Sequence, residues 1–166
     1  MELKQALKTA LDFEQKGKDI YNKTAEKTQN ELVRKTFGYL AEQEQNHINE
    51  IKEFIKKESP DIGLLGDKPE QVKKFFTMTI SEFKEKAEIS RSDEQAYKTA
   101  LELETSSYNF YNEQKNQSQD EQTKKFFQFL MDQEKAHYDF IEKSLAFVKD
   151  PGHFYQSEES WFFEGG

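Results

Sequence analysis

Two positions in the chain combine a glutamate with a histidine three residues later: Glu44 with His47, and Glu134 with His137. Residues three apart lie on the same face of an α-helix. A carboxylate and an imidazole on one face are the side chains with which helices bind metal ions inside a bundle. Both pairs therefore predict metal ligands, provided that they face a protein core.

The surrounding residues indicate that both pairs do face a core. Apolar side chains recur at steps of three and four through each segment, and the Glu/His pairs fall on the same stripe. The stripe residues are Val33, Phe37, Leu40, Ile51 and Phe54 in the first segment, and Phe127, Leu130, Ile141 and Leu145 in the second. A carboxylate buried there without a partner costs several kcal/mol. A bound metal ion offsets that cost.

The two segments belong to an internal repeat with an offset of 90 residues, the spacing between His47 and His137. Upstream, the same offset aligns Glu14 with Glu104 and Tyr21 with Tyr111. An ungapped repeat of this length predicts one supersecondary unit used twice. The chain is therefore expected to contain two similar helical hairpins.

Few Gly and Pro residues, with many Lys, Glu, Gln and Leu, favour an all-α protein. The patterns predict helices over about 2–27, 31–57, 94–117 and 121–148, with Asn30, Asp93 and Asp120 as N-caps of the last three. The long connection between the second and third helices carries an amphipathic segment at about 70–87, and such a crossover is typical of a ferritin-like four-helix bundle. The predicted organisation is a bundle over 1–149, with hairpins 2–58 and 93–149 and crossover 59–92, followed by a tail over 150–166. The tail holds Phe154, Tyr155, Trp161, Phe162 and Phe163, and we expect it to pack on the bundle or on a second subunit.

Helix geometry brings a third acid to each pair. About 14 residues separate Glu14 from the first turn, and about 14 separate that turn from Glu44, so each leg is roughly 21 Å long. An antiparallel hairpin thus places Glu14 level with Glu44 and His47, and the repeat does the same for Glu104. The predicted ligand set is Glu14, Glu44, His47, Glu104, Glu134 and His137. Glu14 with His47 and Glu104 with His137 would each bind one metal, bridged by Glu44 and Glu134, and this set suits two Fe ions, or else Mn or Zn.

Less specific interpretations exist for several of these residues. Glutamate is common in the chain, so two Glu/His pairs alone would be a weak motif. Tyr21, Tyr108 and Tyr111 either act at the site or are core residues with satisfied hydroxyls, and the second interpretation is favoured. Gln43 and Gln133 are either hydrogen-bonding partners of the ligands or surface residues. His153 in the tail is expected at the surface.

Composition excludes other classes of function. The net charge of -8 argues against a nucleic-acid partner. No apolar run is long enough to cross a membrane, and the N-terminal residues lack the apolar core of a signal peptide, so a cytoplasmic location is expected. The absence of cysteine excludes disulfides, thiolate metal sites and cysteine nucleophiles.

The sequences ALDFE with EQNH, and ALELE with EKAH, resemble the ferritin-like superfamily and most of all rubrerythrin-related proteins. The resemblance covers nearly the whole chain, tail included. It implies a non-haem di-iron centre, no catalytic residues beyond the metal ligands, and an oxidoreductase that reduces hydrogen peroxide, oxidises Fe(II) or reacts with O₂. It also implies a homodimer or small homo-oligomer.

The chain departs from rubrerythrin proper in two respects. It lacks the four cysteines of a rubredoxin-like domain, so an external electron donor is expected. Ser107 stands where rubrerythrins carry an additional glutamate ligand, and its repeat partner Gly17 offers no ligand either. Three functions therefore stay open: a redox enzyme for defence against peroxide or O₂, an iron-handling ferroxidase, and a bundle that binds metal without catalysis.

Overall fold

The computed structural model describes residues 2–57 and 89–150, which form four α-helices. Helix α1 spans Leu3–Lys27, α2 Glu31–Lys57, α3 Arg91–Gln117 and α4 Glu121–Lys149. The described residues contain no strand. The helix bounds agree with the sequence pattern to within a few residues. The predicted helix at 70–87, most of the crossover and the aromatic tail lie outside the described residues.

Local hydrogen bonds fix where the helices begin. Asn30 Oδ1 accepts from the backbone N–H of Val33, and the Asp120 side chain accepts from the N–H of Thr123, so these two predicted caps are confirmed. The predicted cap Asp93 is wrong: α3 begins earlier, after Ser90, whose side chain accepts from the N–H of Asp93. The sequence pattern predicted the wrong residue because serine and aspartate are both favoured at the N-cap position.

The Asp93 carboxylate instead joins the two hairpins. Its Oδ2 accepts a hydrogen bond from Thr28 Oγ1 at 3.0 Å, in the turn between α1 and α2. Each hairpin packs along its length, α1 against α2 and α3 against α4, and the hairpins meet through α1 with α3 and α2 with α4. The four helices therefore form a bundle in which the two copies of the repeat face each other.

The apolar core is divided into two clusters. One contains Tyr21, Phe37, Tyr97 and Phe140, and the other contains Ala10, Ile51, Phe54, Tyr111 and Phe127. The buried glutamates and histidines lie on the same helices between these clusters. Large rings supply much of the buried volume, and they surround the polar side chains with a medium in which charge is costly.

The two halves of the bundle differ at one set of equivalent positions. Tyr97 OH lies 2.7 Å from Ser144 Oγ, which lies 3.2 Å from Thr36 Oγ1, all three side chains being buried. The repeat equivalents of these residues are Leu7, Phe54 and Phe126, and the rings of Phe54 and Phe126 stack with centroids 4.2 Å apart. One end of the bundle thus holds a hydroxyl network where the other holds apolar packing. None of the four described helices is long and apolar enough to span a membrane.

Candidate metal centre

All six side chains predicted as ligands lie buried in the middle of the bundle, each no more than 3% exposed. Helix α1 supplies Glu14 and α3 supplies Glu104. Helices α2 and α4 each supply a Glu/His pair. On each helix the buried residues on the same face, before and after the acids, are mostly apolar. Their burial keeps the acids inside the bundle.

Two buried tyrosines cross between the hairpins to hold the acids of α1 and α3. Tyr21 on α1 donates its hydroxyl hydrogen to Glu104 Oε1 at 2.7 Å, and Tyr111 on α3 donates to Glu14 Oε1. The two bonds are equivalent in the repeat, since Tyr21 aligns with Tyr111 and Glu14 with Glu104. Each tyrosine fixes one oxygen of its glutamate and leaves the other, Oε2, facing the centre of the bundle.

His47 has three carboxylates around one ring nitrogen. Its Nδ1 lies 3.0 Å from Glu14 Oε2, to which it donates a hydrogen bond, and 3.9 Å from Glu44 Oε2. Glu134 Oε1 lies 3.1 Å from the same nitrogen but in a direction that makes no hydrogen bond. The other nitrogen, Nε2, lies 3.4 Å from Gln133 Oε1. The imidazole is therefore oriented with Nδ1 towards the acids.

His137 has the equivalent position without the hydrogen bonds. Its Nδ1 lies 3.7 Å from both Glu44 Oε1 and Glu104 Oε2, and its ring stacks on that of His47 with centroids 5.1 Å apart. In the part of the chain that the structure describes, four buried side-chain atoms make no hydrogen bond: both ring nitrogens of His137, Glu104 Oε2 and Glu134 Oε1. Buried polar groups are almost always partnered, so several orphans at one place indicate a missing partner.

The pKa values of these groups are shifted because four acids share one buried, apolar region. Burial, and then the negative charge of Glu14, raise the pKa of Glu44 well above its ordinary value. Burial and the charges of Glu104 and Glu14 likewise raise the pKa of Glu134. Burial opposes ionisation of Glu14 as well, but the positive charge of His47, together with hydrogen bonds from Glu44, His47 and Tyr111, outweighs burial and lowers the pKa of Glu14 to about 2.

The remaining groups of the centre respond to the same charges. Burial would lower the pKa of His47, but the charges of Glu14 and Glu104 and the hydrogen bonds to Glu14 and Gln133 together raise it above its ordinary value. Burial and the charges of Glu104 and Glu14 raise the pKa of Tyr21 and of Tyr111, respectively, so both hydroxyls keep their protons and remain donors. Without metal the centre therefore holds protons on some of its acids, because like charges this close cannot all ionise.

The donor set fits metal ions. Glu44, His47, Glu134 and His137 each offer one ligand atom, and these atoms all lie within 4.8 Å of one another. Carboxylate oxygens with neutral imidazole nitrogens suit Fe, Mn and Zn. A cation would partner the orphaned atoms of Glu104, Glu134 and His137 and replace the protons as the counter-charge. The cluster thus suits a site for two metal ions.

At Gly17 the backbone of α1 lies close to the side chain of Glu44. A Cβ atom added there would lie 3.5 Å from Glu44 Cδ, an ordinary contact, so a short side chain fits but a long one would meet the carboxylate. The repeat equivalent is Ser107, which is 9% exposed. No ligand therefore comes from this level of α1 or α3.

Several details of the centre were open or unseen in the sequence. Tyr21 and Tyr111 are core residues with satisfied hydroxyls, as favoured, but the partners that satisfy them are the two glutamates. Gln43 and Gln133 are both buried, so the interpretation as surface residues is wrong. Tyr108 is partly buried, and His153 lies outside the described residues. The repeat carried a signal for the hydrogen bonds from each tyrosine to the glutamate of the other hairpin, since Tyr and Glu keep the same spacing in both copies.

The fold and the centre together define a four-helix bundle with a buried carboxylate–histidine cluster suited to two metals. Comparison with family models identifies the group more narrowly: the rubrerythrin model matches residues 5–145, and the chain belongs to this family. Comparison with curated proteins and with solved structures found no significant match.

Proposed function

We propose that the centre binds two iron ions and that the protein is a redox enzyme that reduces hydrogen peroxide. In this proposal Glu14 and His47 bind one ion, Glu104 and His137 bind the other, and Glu44 and Glu134 bridge them. The observation that carries it is the set of orphaned atoms on Glu104, Glu134 and His137, which converge without hydrogen-bond partners. Two ferrous ions would supply the two electrons that convert one peroxide molecule, with two protons, into two water molecules.

The protein itself would position the metal ligands and enclose the centre in apolar side chains. The hydroxyls of Tyr21 and Tyr111 each occupy one oxygen of a terminal glutamate, which leaves a single oxygen of each for metal. Of the two proposed bridging acids, Glu44 has an oxygen near each imidazole: Oε2 lies 3.9 Å from His47 Nδ1, and Oε1 lies 3.7 Å from His137 Nδ1. The two apolar clusters keep bulk water away, so charge inside the centre interacts strongly.

We propose that electrons reach the centre from an external donor, since the given sequence holds no cysteine for a rubredoxin-like iron site. We propose that the protein works as a homodimer or small homo-oligomer, as the resemblance to rubrerythrins implies. Defence against peroxide or O₂ is the role that these features support.

One observation favours a second function, oxidation of Fe(II) by O₂ in iron handling. Gly17 lies beside Glu44, Ser107 is its repeat equivalent on α3, and neither offers the extra carboxylate of the rubrerythrin pattern. The absence of that carboxylate weakens the case for peroxide reduction and so favours the ferroxidase as the alternative. The two functions differ in which oxidant reacts faster.

The test is rapid anaerobic mixing of the iron-loaded protein with peroxide and, separately, with O₂. The proposal expects faster oxidation by peroxide, at two electrons per peroxide, and a further increase in Ser107→Glu. Ser106→Glu, at an exposed neighbouring position, is the matched control and should react like the wild type. If O₂ oxidises the iron faster and Ser107→Glu changes neither rate, the peroxidase proposal fails and Fe(II) oxidation by O₂ becomes the proposed function. Iron that reacts with neither oxidant would leave a bundle that binds metal without catalysis.

A further inference from the structure

The two histidines of the centre are equivalent in sequence but not in their surroundings. His47 Nε2 faces Gln133 Oε1 at 3.4 Å, a contact from α2 to α4 between side chains that are 0% and 1% exposed. His137 Nε2 makes no hydrogen bond, although Gln43 occupies the position equivalent to Gln133. Because the repeat places a glutamine at both positions, the same contact could form in both halves. Within the described residues, the structure contains only the contact between His47 and Gln133.

This contact decides which ring nitrogen of His47 is available to a metal. A neutral imidazole carries one N–H, and a nitrogen that binds metal must be the one without it. In the metal-free chain Nδ1 carries a proton and donates it to Glu14 Oε2. A metal ion that displaces this proton binds Nδ1, while the acceptor oxygen of Gln133 keeps the remaining proton on Nε2. The same bond limits rotation of the ring. Acceptors of this kind typically improve metal affinity by about 10- to 100-fold.

We propose that Gln133 is a positioning residue that makes the two metal positions inequivalent, so that the Glu14–His47 position fills before the Glu104–His137 position. This inference rests on the proposed two-metal centre. Gln133 does not contact the reacting atoms; it acts through His47. The first ion then occupies the position whose histidine is already oriented, and the second binds where His137 must be oriented by the metal itself.

The tautomer and the order of filling are measured without any redox reaction. Zn(II) is added to the ¹⁵N-labelled protein, and the imidazole nitrogens are observed by NMR. With one equivalent of Zn(II), the proposal expects Nδ1 of His47 to be metal-bound and Nε2 to be protonated, while His137 stays free of metal. Signals of His137 that change first, or of both histidines that change together, would overturn the proposal.

Affinity measurements with Co(II) and a competing chelator test the role of Gln133 itself. The wild type should bind two ions in unequal steps, and Gln133→Met, which keeps the length of the side chain but removes the acceptor, should weaken the tighter step by about 10- to 100-fold. Gln133→Glu restores an acceptor oxygen and should recover most of that affinity. Gln43→Met is the matched control and should leave the tighter step within about twofold.

Each outcome separates this inference from the proposed function. Two ions that bind with steps unchanged in Gln133→Met would overturn the positioning role and leave the two-metal centre standing. A wild type that binds no metal would overturn both. Circular dichroism and thermal melting show whether Gln133→Met is folded, and if it is not, Gln133→Glu and the wild-type NMR experiment decide the question.

Discussion

The stability of the protein should depend strongly on metal, because the centre brings four acids into an apolar interior. Among residues 2–57 and 89–150, no Lys or Arg pairs with these acids, and burial and repulsion raise the pKa of both Glu44 and Glu134. A ligand that binds only the folded state stabilises it by about 2.7 kcal/mol at a free concentration 100 times its Kd. Two ions under that condition contribute about 5 kcal/mol.

That free energy corresponds to a large shift in the melting temperature. For a chain of 150–250 residues, 1 kcal/mol shifts the melting temperature by about 2–4 °C, so two ions should raise it by about 10–20 °C. Thermal unfolding followed by circular dichroism, with Fe(II) or Co(II) under anaerobic conditions and then with excess chelator, measures the difference. A melting temperature that does not respond to chelation would refute the account of the buried acids.

A pair of matched variants tests whether the effect comes from this centre. Glu44→Gln with Glu134→Gln keeps the shapes of the bridging side chains but removes their capacity to ionise. Since both are already hard to ionise without metal, the double variant should melt at or above the temperature of the metal-free wild type, and it should gain little from metal. Glu42→Gln with Glu142→Gln, at exposed positions, should retain the full gain.

Further predictions concern single groups of the core and centre. Glu44→Ala should lose both ions on metal analysis, because a bridge serves both, whereas His47→Ala should retain about one. Tyr97→Phe should lower the free energy of unfolding by about 1–2 kcal/mol in urea titrations, because it removes the hydroxyl that bonds Ser144 in the core. The metal-free chain should be less stable at about pH 8 than at about pH 5. The groups with raised pKa, Glu44, Glu134 and His47, favour folding while protonated, and that contribution is lost as pH rises through their folded-state pKa values. Urea titrations in chelator at the two pH values measure the slope, and stability that rises over this range would contradict the assignment.

The sequence predicted the bundle well because its information was periodic and repeated. The apolar stripes around Glu44 and Glu134 set the inward faces, and the equal spacing to Glu14 and Glu104 placed all six side chains at one level. The start of α3 was less certain, since Ser90 and Asp93 are both good caps and only the bond from Thr28 shows what Asp93 does instead.

The inequivalence of the two halves was not predictable from the repeat. Gln43 and Gln133 are the same residue type at equivalent positions, yet His47 hydrogen-bonds Gln133 whereas His137 makes no hydrogen bond to any described residue. The two halves also differ where Tyr97, Ser144 and Thr36 replace the apolar residues of the other half. A sequence pattern predicts which face of a helix a residue occupies, but not the interatomic distance that decides whether its side chain forms a hydrogen bond.

The central claim is that these six side chains bind two metal ions together. Anomalous diffraction from crystals of the Fe(II)- or Co(II)-loaded protein tests it most directly, because it locates each ion independently of any assumed ligand. The account predicts two anomalous peaks about 3.5–4 Å apart, between Glu44 and Glu134, one near His47 Nδ1 and the other near His137 Nδ1. A single peak, or ions bound at the protein surface with the buried centre empty, would contradict it.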